Sequence, residues 1–271
     1  MLPLHHGRDR GQSTAPWHDG RVSPYTWHVH WSVVLVIGAL FAAYLWSQRR
    51  WPADTTRRVA FDLGVLLLLL VYVTPIETIA LHYLLCIHLL QNVVTAEWAP
   101  GLMVYGIAPA LAARLAQFRP LAALIHPAVA LPLWVATYFV WHFPPIYDAA
   151  LNRPESLLHL EHLTYFLAGA LMWWPVMHGR YADGLKALYL FAAFVFAAPL
   201  GLLLALLPRP VYDFYTDAPQ LWGLSDLADQ QIAGLTMAAE QAIVFFAVFA
   251  HYFLRFLRTE QIAGVFSESP R

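Results

Sequence analysis

Seven stretches of this chain are apolar over roughly the 20 residues that a helix needs to cross the hydrocarbon core of a bilayer. They fall near 27–47, 59–80, 82–97, 121–142, 157–177, 184–207 and 228–256. Lipid offers no water to satisfy backbone N–H and C=O groups, so such segments must be helical. The expected fold class is therefore all-α: an integral membrane bundle of seven transmembrane helices. Composition agrees. The chain is 59% hydrophobic and 12% charged, against about 25% charge in a soluble domain. Mean hydropathy is +0.53.

The third segment is the weakest, because it runs into Glu97-Trp98-Ala99-Pro100-Gly101. A further apolar piece, 101–115, either continues that helix beyond a kink or dips back as a re-entrant segment. Orientation follows lysine and arginine. Seven spans place Arg49, Arg50, Arg57, Arg58, Arg114, Arg119, Arg180, Lys186, Arg255, Arg258 and Arg271 on one side, and Arg8, Arg10, Arg21, Arg153 and Arg209 on the other. The richer side is expected to be cytoplasmic, with the N-terminus outside and the C-terminus inside. The domain reading is a polar extracytoplasmic arm at 1–26, a membrane domain at 27–257 and a short cytoplasmic tail at 258–271. The arm lacks the apolar core of a cleaved signal peptide, so the first span is expected to direct its own insertion. A net charge of −1 gives no reason to expect nucleic-acid binding, and the single cysteine, Cys86, allows neither an internal disulfide nor a multi-cysteine metal site.

Histidine is distributed unevenly. On this topology His5, His6, His18, His28, His30, His82, His88, His142, His159 and His162 lie toward the outer face, leaving His126, His178 and His251 at the other end. Imidazole is the commonest metal ligand in proteins. His88 and Asn92 are four residues apart and share a helix face. His142 closes the fourth span before Pro144-Pro145, and His159 and His162 form an i,i+3 pair at the start of the fifth. Each has a plainer reading as a buried hydrogen-bonding or interfacial group. Glu161 falls on another face, to orient a ligand or to meet solvent. Together, His88, His142, His159 and His162 come from three spans at matched depth, and such a set suits copper, zinc, iron or nickel.

The start of the seventh span supplies further polar groups. Asp229 reads as an N-cap or first-turn acid, and Gly234 would let another helix approach closely. Met237 offers either core packing or a thioether, which would tilt the metal toward Cu(I). Glu240 lies near mid-span, where an ionisable group is a functional candidate.

The chain resembles the CtaG-type, seven-span cytochrome c oxidase assembly proteins. The resemblance rests on His88 to Gln91 with Ala99-Pro100, the Trp141-His142…Pro145…Tyr147-Asp148 block, and His159…His162 with Trp173-Trp174-Pro175. It continues through Pro208…Tyr212…Tyr215 to Asp229-Gln230-Gln231…Gly234-Leu235…Met237. It implies a non-enzymatic assembly factor in a bacterial-type inner (plasma) membrane. Such a factor would hold copper, as Cu(I), near the outer face and assist its insertion into a haem–copper oxidase. The implied ligands are His88, His142, His159 and His162, with Asn92, Asp229, Gln230, Met237 and Glu240 as auxiliary groups. The implied partners are an oxidase subunit, an extracytoplasmic copper donor and the lipid bilayer. His28 and His30 would be entry ligands for an incoming ion, or simply part of an interfacial arm. Two positions depart from the pattern. Asn92 stands where the family places a second histidine, and Ala238 where it usually places tryptophan. The competing readings are a scaffold that binds no metal, a haem protein, and a metal or proton transporter using Glu77 and Glu240. A retinal protein is disfavoured because the sole lysine, Lys186, lies at a span end.

Overall fold

The computed structural model describes residues 22–27 and 29–267, with side chains to residue 260. Most of the N-terminal arm, including His5, His6 and His18, lies outside the described residues, as does His28. Among those described there are helices and no strands.

Helix α1 (Trp31–Ser47) packs chiefly on α2 (Thr55–Val73), with Tyr44 stacked on Phe61 at 3.6 Å between ring centroids. Asp54 caps α2 by accepting from the Arg57 N–H. The Thr74 hydroxyl then accepts from Ile76 N–H, and Pro75 opens α3 (Pro75–His82), whose axis turns 55° from α2. Next comes α4 (Leu85–Val93), continuous through a π-helical turn at Val94–Trp98 with α5 (Ala99–Gly106). The piece after Pro100 thus extends the third segment as helix as far as Gly106. The wide turn is a reasonable consequence of Pro100, whose ring lacks an N–H and would crowd the carbonyl of Ala96 in a regular α-helix.

Short helices α6 (Pro109–Leu115) and α7 (Arg119–Leu124) lead to α8 (Pro127–Trp141). His142 ends α8, and Pro144 opens α9 (Pro144–Leu151), bent 74° away. A second π-helical turn, Pro154–Leu158, enters α10 (His159–Met177). Then follow α11 (Asp183–Leu206), the one-turn α12 (Asp213–Thr216) and α13 (Asp226–Ser267). Helix α13 therefore runs on into the segment expected to be a tail.

The α4–α5 rod is central, meeting α2, α10 and α13. Its contact with α10 depends on Gly169, where a Cβ would fall 2.0 Å from the Ala96 carbonyl oxygen. Helices α11 and α13 touch at Gly201 and Gly234, where a Cβ on Gly234 would lie 2.5 Å from the Gly201 carbonyl. Gly234 thus permits the close approach expected of it.

Helices α11 and α13 (over Asp226–Glu260) are each long and apolar enough to cross a membrane, and the bent pairs α2–α3 and α8–α9 pass the same test as broken spans. Outward residues of α11 and α13 include Leu206, Ile243 and Phe246, at 66–78% exposure. Such a surface is suited to lipid, and the chain is a membrane protein.

Candidate functional site

Three of the four expected histidines gather in one buried region of the bundle, the chamber, although their ligand atoms do not all lie within 4.8 Å of one another. His88 comes from α4, His142 from the end of α8 and His162 from α10, and all three are buried. The His88 and His162 rings lie edge to face, 6.0 Å between centroids. Tyr147 of α9 stands between the other pair, 5.4 Å from His88 and 5.9 Å from His142.

Hydrogen bonding fixes the tautomers. His142 Nδ1 lies 2.8 Å from the Tyr138 carbonyl oxygen. A carbonyl only accepts, so Nδ1 carries the proton. His88 Nδ1 lies 2.7 Å from the Tyr215 hydroxyl, whose own proton is donated to the Ala80 carbonyl at 2.6 Å. With its proton so placed, that hydroxyl accepts from a protonated His88 Nδ1, and the Tyr147 hydroxyl lies 3.1 Å from the same nitrogen as a second acceptor. Both rings consequently present an Nε2 lone pair. The Nε2 atoms of His88, His142 and His162 are buried and meet no hydrogen-bond partner among the described residues. Metal-binding histidines commonly have one ring nitrogen tied to a carbonyl or other acceptor and the second left for the ion.

The pairing with Tyr215 makes a checkable prediction. Tyr215→Phe should release His88 from its Nδ1–H tautomer, seen as a change in its ring 15N shifts, while His142 keeps its signal. An unchanged His88 spectrum would show that Tyr215 does not set the tautomer.

The polar groups around the chamber hold its walls. Asp229, on α13, accepts from the N–H groups of Leu85 at 2.7 Å and Cys86 at 2.9 Å. It therefore caps α4, whose Leu84 supplies no side-chain cap. Asp229 stands in the first turn of α13, as one of its two expected readings has it, but it does not cap that helix; the Ser225 hydroxyl accepts from Ala228 N–H there. Gln230 donates to the carbonyls of Leu204 and Arg209 and accepts from Val211 N–H at 2.8 Å. It pins the end of α11 and the segment that leads through Tyr212 into α12. Tyr212 donates to the His142 carbonyl at 3.1 Å and stacks on Tyr147 at 4.1 Å. The Asp148 carboxylate accepts from the amides of Asp213 and Phe214, at 3.3 and 3.2 Å, fixing α12.

Asn92 donates to Glu161 at 3.3 Å. Glu161 is fully buried, which corrects the expectation that it meets solvent. The first turn of α10 is covered on that side by α4, which a helical wheel cannot reveal. Asn92 Oδ1 and Glu161 Oε2 are also buried without a hydrogen-bond partner among the described residues. Met237 is buried at the α11–α13 contact, its Cβ beside Gly201. Glu240 accepts from the Trp98 indole and lies next to Glu97, which accepts from Gln241 at 3.0 Å. Glu77 accepts from Gln91.

His159 does not complete a four-histidine cluster. Among the described residues, the group of metal-binding side chains whose ligand atoms all lie within 4.8 Å of one another is His30, Glu155 and His159. The i,i+3 spacing points His159 and His162 to neighbouring positions, but α1 and the turn before α10 surround the first of them. Sequence reasoning did not single out Glu155; its spacing of four from His159 was the available signal. Nor did it give Tyr147 and Tyr215 their part in holding His88.

No curated protein and no solved structure matches the chain. The family model described as cytochrome c oxidase caa3 assembly factor (Caa3_CtaG) matches residues 39–259. That span covers well over half of the chain and includes α2–α11 and every histidine of the chamber. On this match, the chain belongs to the caa3-type cytochrome c oxidase assembly factor family.

Proposed function

We propose that this assembly factor holds copper, as Cu(I), in the chamber formed by His88, His142 and His162, and passes it to a haem–copper oxidase subunit. The observation that carries the reading is the three buried Nε2 atoms without hydrogen-bond partners among the described residues, two of them on rings whose other nitrogen is already engaged. A buried acceptor normally finds a donor, and a soft monovalent ion with few ligands answers that need. Asn92 and Glu161 border the set as polar groups, which leaves copper with imidazole ligands that an incoming protein can displace one at a time. Asp229, Gln230, Asp148 and Tyr215 keep the rings in place. Met237 and Glu240 belong to neighbouring helix contacts in this reading.

The topology we propose has seven passes: α1, α2–α3, α4–α5, α7–α8, α10, α11 and α13. The N-terminus and the histidine chamber lie toward the outer face of a bacterial-type inner membrane, and the arginine-rich loops are cytoplasmic. The protein acts by binding and ligand exchange rather than catalysis. Its partners are an oxidase subunit and an outer-side copper donor.

The test is Cu(I) competition against a chromogenic chelator, using the purified full chain, with copper content of the partner oxidase as a second readout. His88→Ala/His162→Ala should weaken Cu(I) binding at least about a hundredfold, or about 2.7 kcal/mol, and leave the oxidase copper-poor. Wild-type affinity in the folded variant would refute the chamber as a copper site. It would favour a scaffold that meets the oxidase through its helices.

A further inference from the structure

The group formed by His30, Glu155 and His159 stands apart from the buried chamber. His30 immediately precedes α1, Glu155 lies in the π-helical turn, and His159 is the first residue of α10. Their ligand atoms all fall within 4.8 Å of one another. The His30 and His159 rings meet edge to face, 5.6 Å between centroids. Glu155 and His159 are four residues apart along one continuous helical path, so they project together. A second carboxylate flanks them, with Glu77 Oε1 3.6 Å from His30 Nε2. Glu155 is exposed and both imidazoles are partly so. A cavity of about 230 Å³ lined by His30, Glu77, His82 and Glu155 lies alongside. On the other side, an apolar crevice of about 260 Å³ separates α1 from α10, with Tyr72, Thr95, His159 and His162 on its walls.

We propose that His30, Glu155 and His159 form a second metal site that takes a divalent first-row ion, and that an ion there ties the start of α1 to the start of α10. Two neutral imidazoles and one carboxylate are a ligand set of divalent ions and leave a position for water. The carboxylate is a hard ligand, poorly matched to Cu(I), so this site and the all-imidazole chamber differ in the ion they prefer. Exposure fits as well, because a divalent ion can arrive hydrated and exchange its waters stepwise. Among such ions Cu(II) binds most tightly, with Zn(II) behind it. Helix α1 packs chiefly on α2, so this ion would add a link from α1 to α10 across the mouth of the crevice that reaches His162.

The proposal does not require the chamber to bind copper, and one set of samples separates the two. The full chain is purified in a His5→Ala, His6→Ala, His18→Ala background, which removes competing arm histidines. Cu(II) is titrated and followed by electron paramagnetic resonance. One equivalent should bind with splitting from two imidazole nitrogens. Glu155→Gln and His30→Gln should each weaken it at least tenfold, while His88→Ala/His162→Ala leaves it intact. Zn(II) should slow hydrogen exchange at the start of α1 in the parent and not in Glu155→Gln. Parent-like Cu(II) affinity in Glu155→Gln, or loss of the signal in the chamber variant, would overturn the site. Unchanged exchange in α1 would overturn the tie. Cu(I) competition on the same samples reports on the chamber alone: loss there only in His88→Ala/His162→Ala supports two separate sites, and retention there refutes the chamber without touching the Cu(II) result.

Discussion

Gly169→Ala is expected to destroy the stable fold. A Cβ at Gly169 would sit 2.0 Å from the Ala96 carbonyl oxygen and 2.8 Å from its carbon, with the Pro100 ring at 2.9 Å. The first two atoms are backbone, held in the π-helical turn by the helices on either side. No rotamer change can relieve the clash, so α10 must move off the α4–α5 rod. Overpacking of a core by side chains alone typically costs about 1–3 kcal/mol, and a backbone obstruction belongs at or above the top of that range. The variant should give little monodisperse protein in detergent and a clearly lowered unfolding temperature. Gly38→Ala is the matched control, because nothing lies within 4 Å of its added carbon. If Gly169→Ala unfolds together with Gly38→Ala and the parent, α10 and the turn do not touch as described.

Asp229→Ala should produce the second largest loss, and Asp229→Asn should fall between it and the parent. The two carboxylate oxygens accept one amide each, from Leu85 and Cys86. Alanine strands two buried donors, at about 1–3 kcal/mol apiece. Asparagine keeps one acceptor and turns an NH2 group toward the other amide. The amides of Leu85 and Cys86 should exchange faster in the order Ala, Asn, parent. His88 follows within the same turn, its N–H donating to the Leu84 carbonyl at 3.2 Å, so Cu(I) affinity should decline in step with the fraying of α4. Parent-like exchange in Asp229→Ala would mean that α4 begins without this carboxylate.

Apolar runs and prolines made most helices legible from sequence, because both act locally. Pro75 and Pro144 open helices where the chain bends, and Pro127 opens the helix that runs to Trp141. The continuation from Val94 to Gly106 was harder to read. Pro100 is a helix breaker in isolation, and its tolerance depends on a widened turn that α10 and α13 hold in place. His88, His142 and His162 group on expected depth, which span ends encode, and the structure buries all three. Depth alone carries no angular information, so it could not separate His159 from them. Asp229 shows the same gap between helices. Its carboxylate suits a helix N-terminus, but sequence spacing favours its own helix, and only the packing of α13 on α4 brings the neighbouring one within reach. Glu161 was similarly obscured, since burial of a carboxylate depends on the surface laid over it.

The widened turn at Val94–Trp98 also sets an angular phase. Each helical residue advances the chain by about 100°, and the turn absorbs one residue more than a regular α-helix would. Deleting a single position there would rewind the rod. Gly101 could stay against Trp173, but everything upstream would rotate, swinging His88 away from Tyr215 and its fellow imidazoles. The aim of a metal ligand is thus tied to a one-residue surplus almost two turns downstream of it.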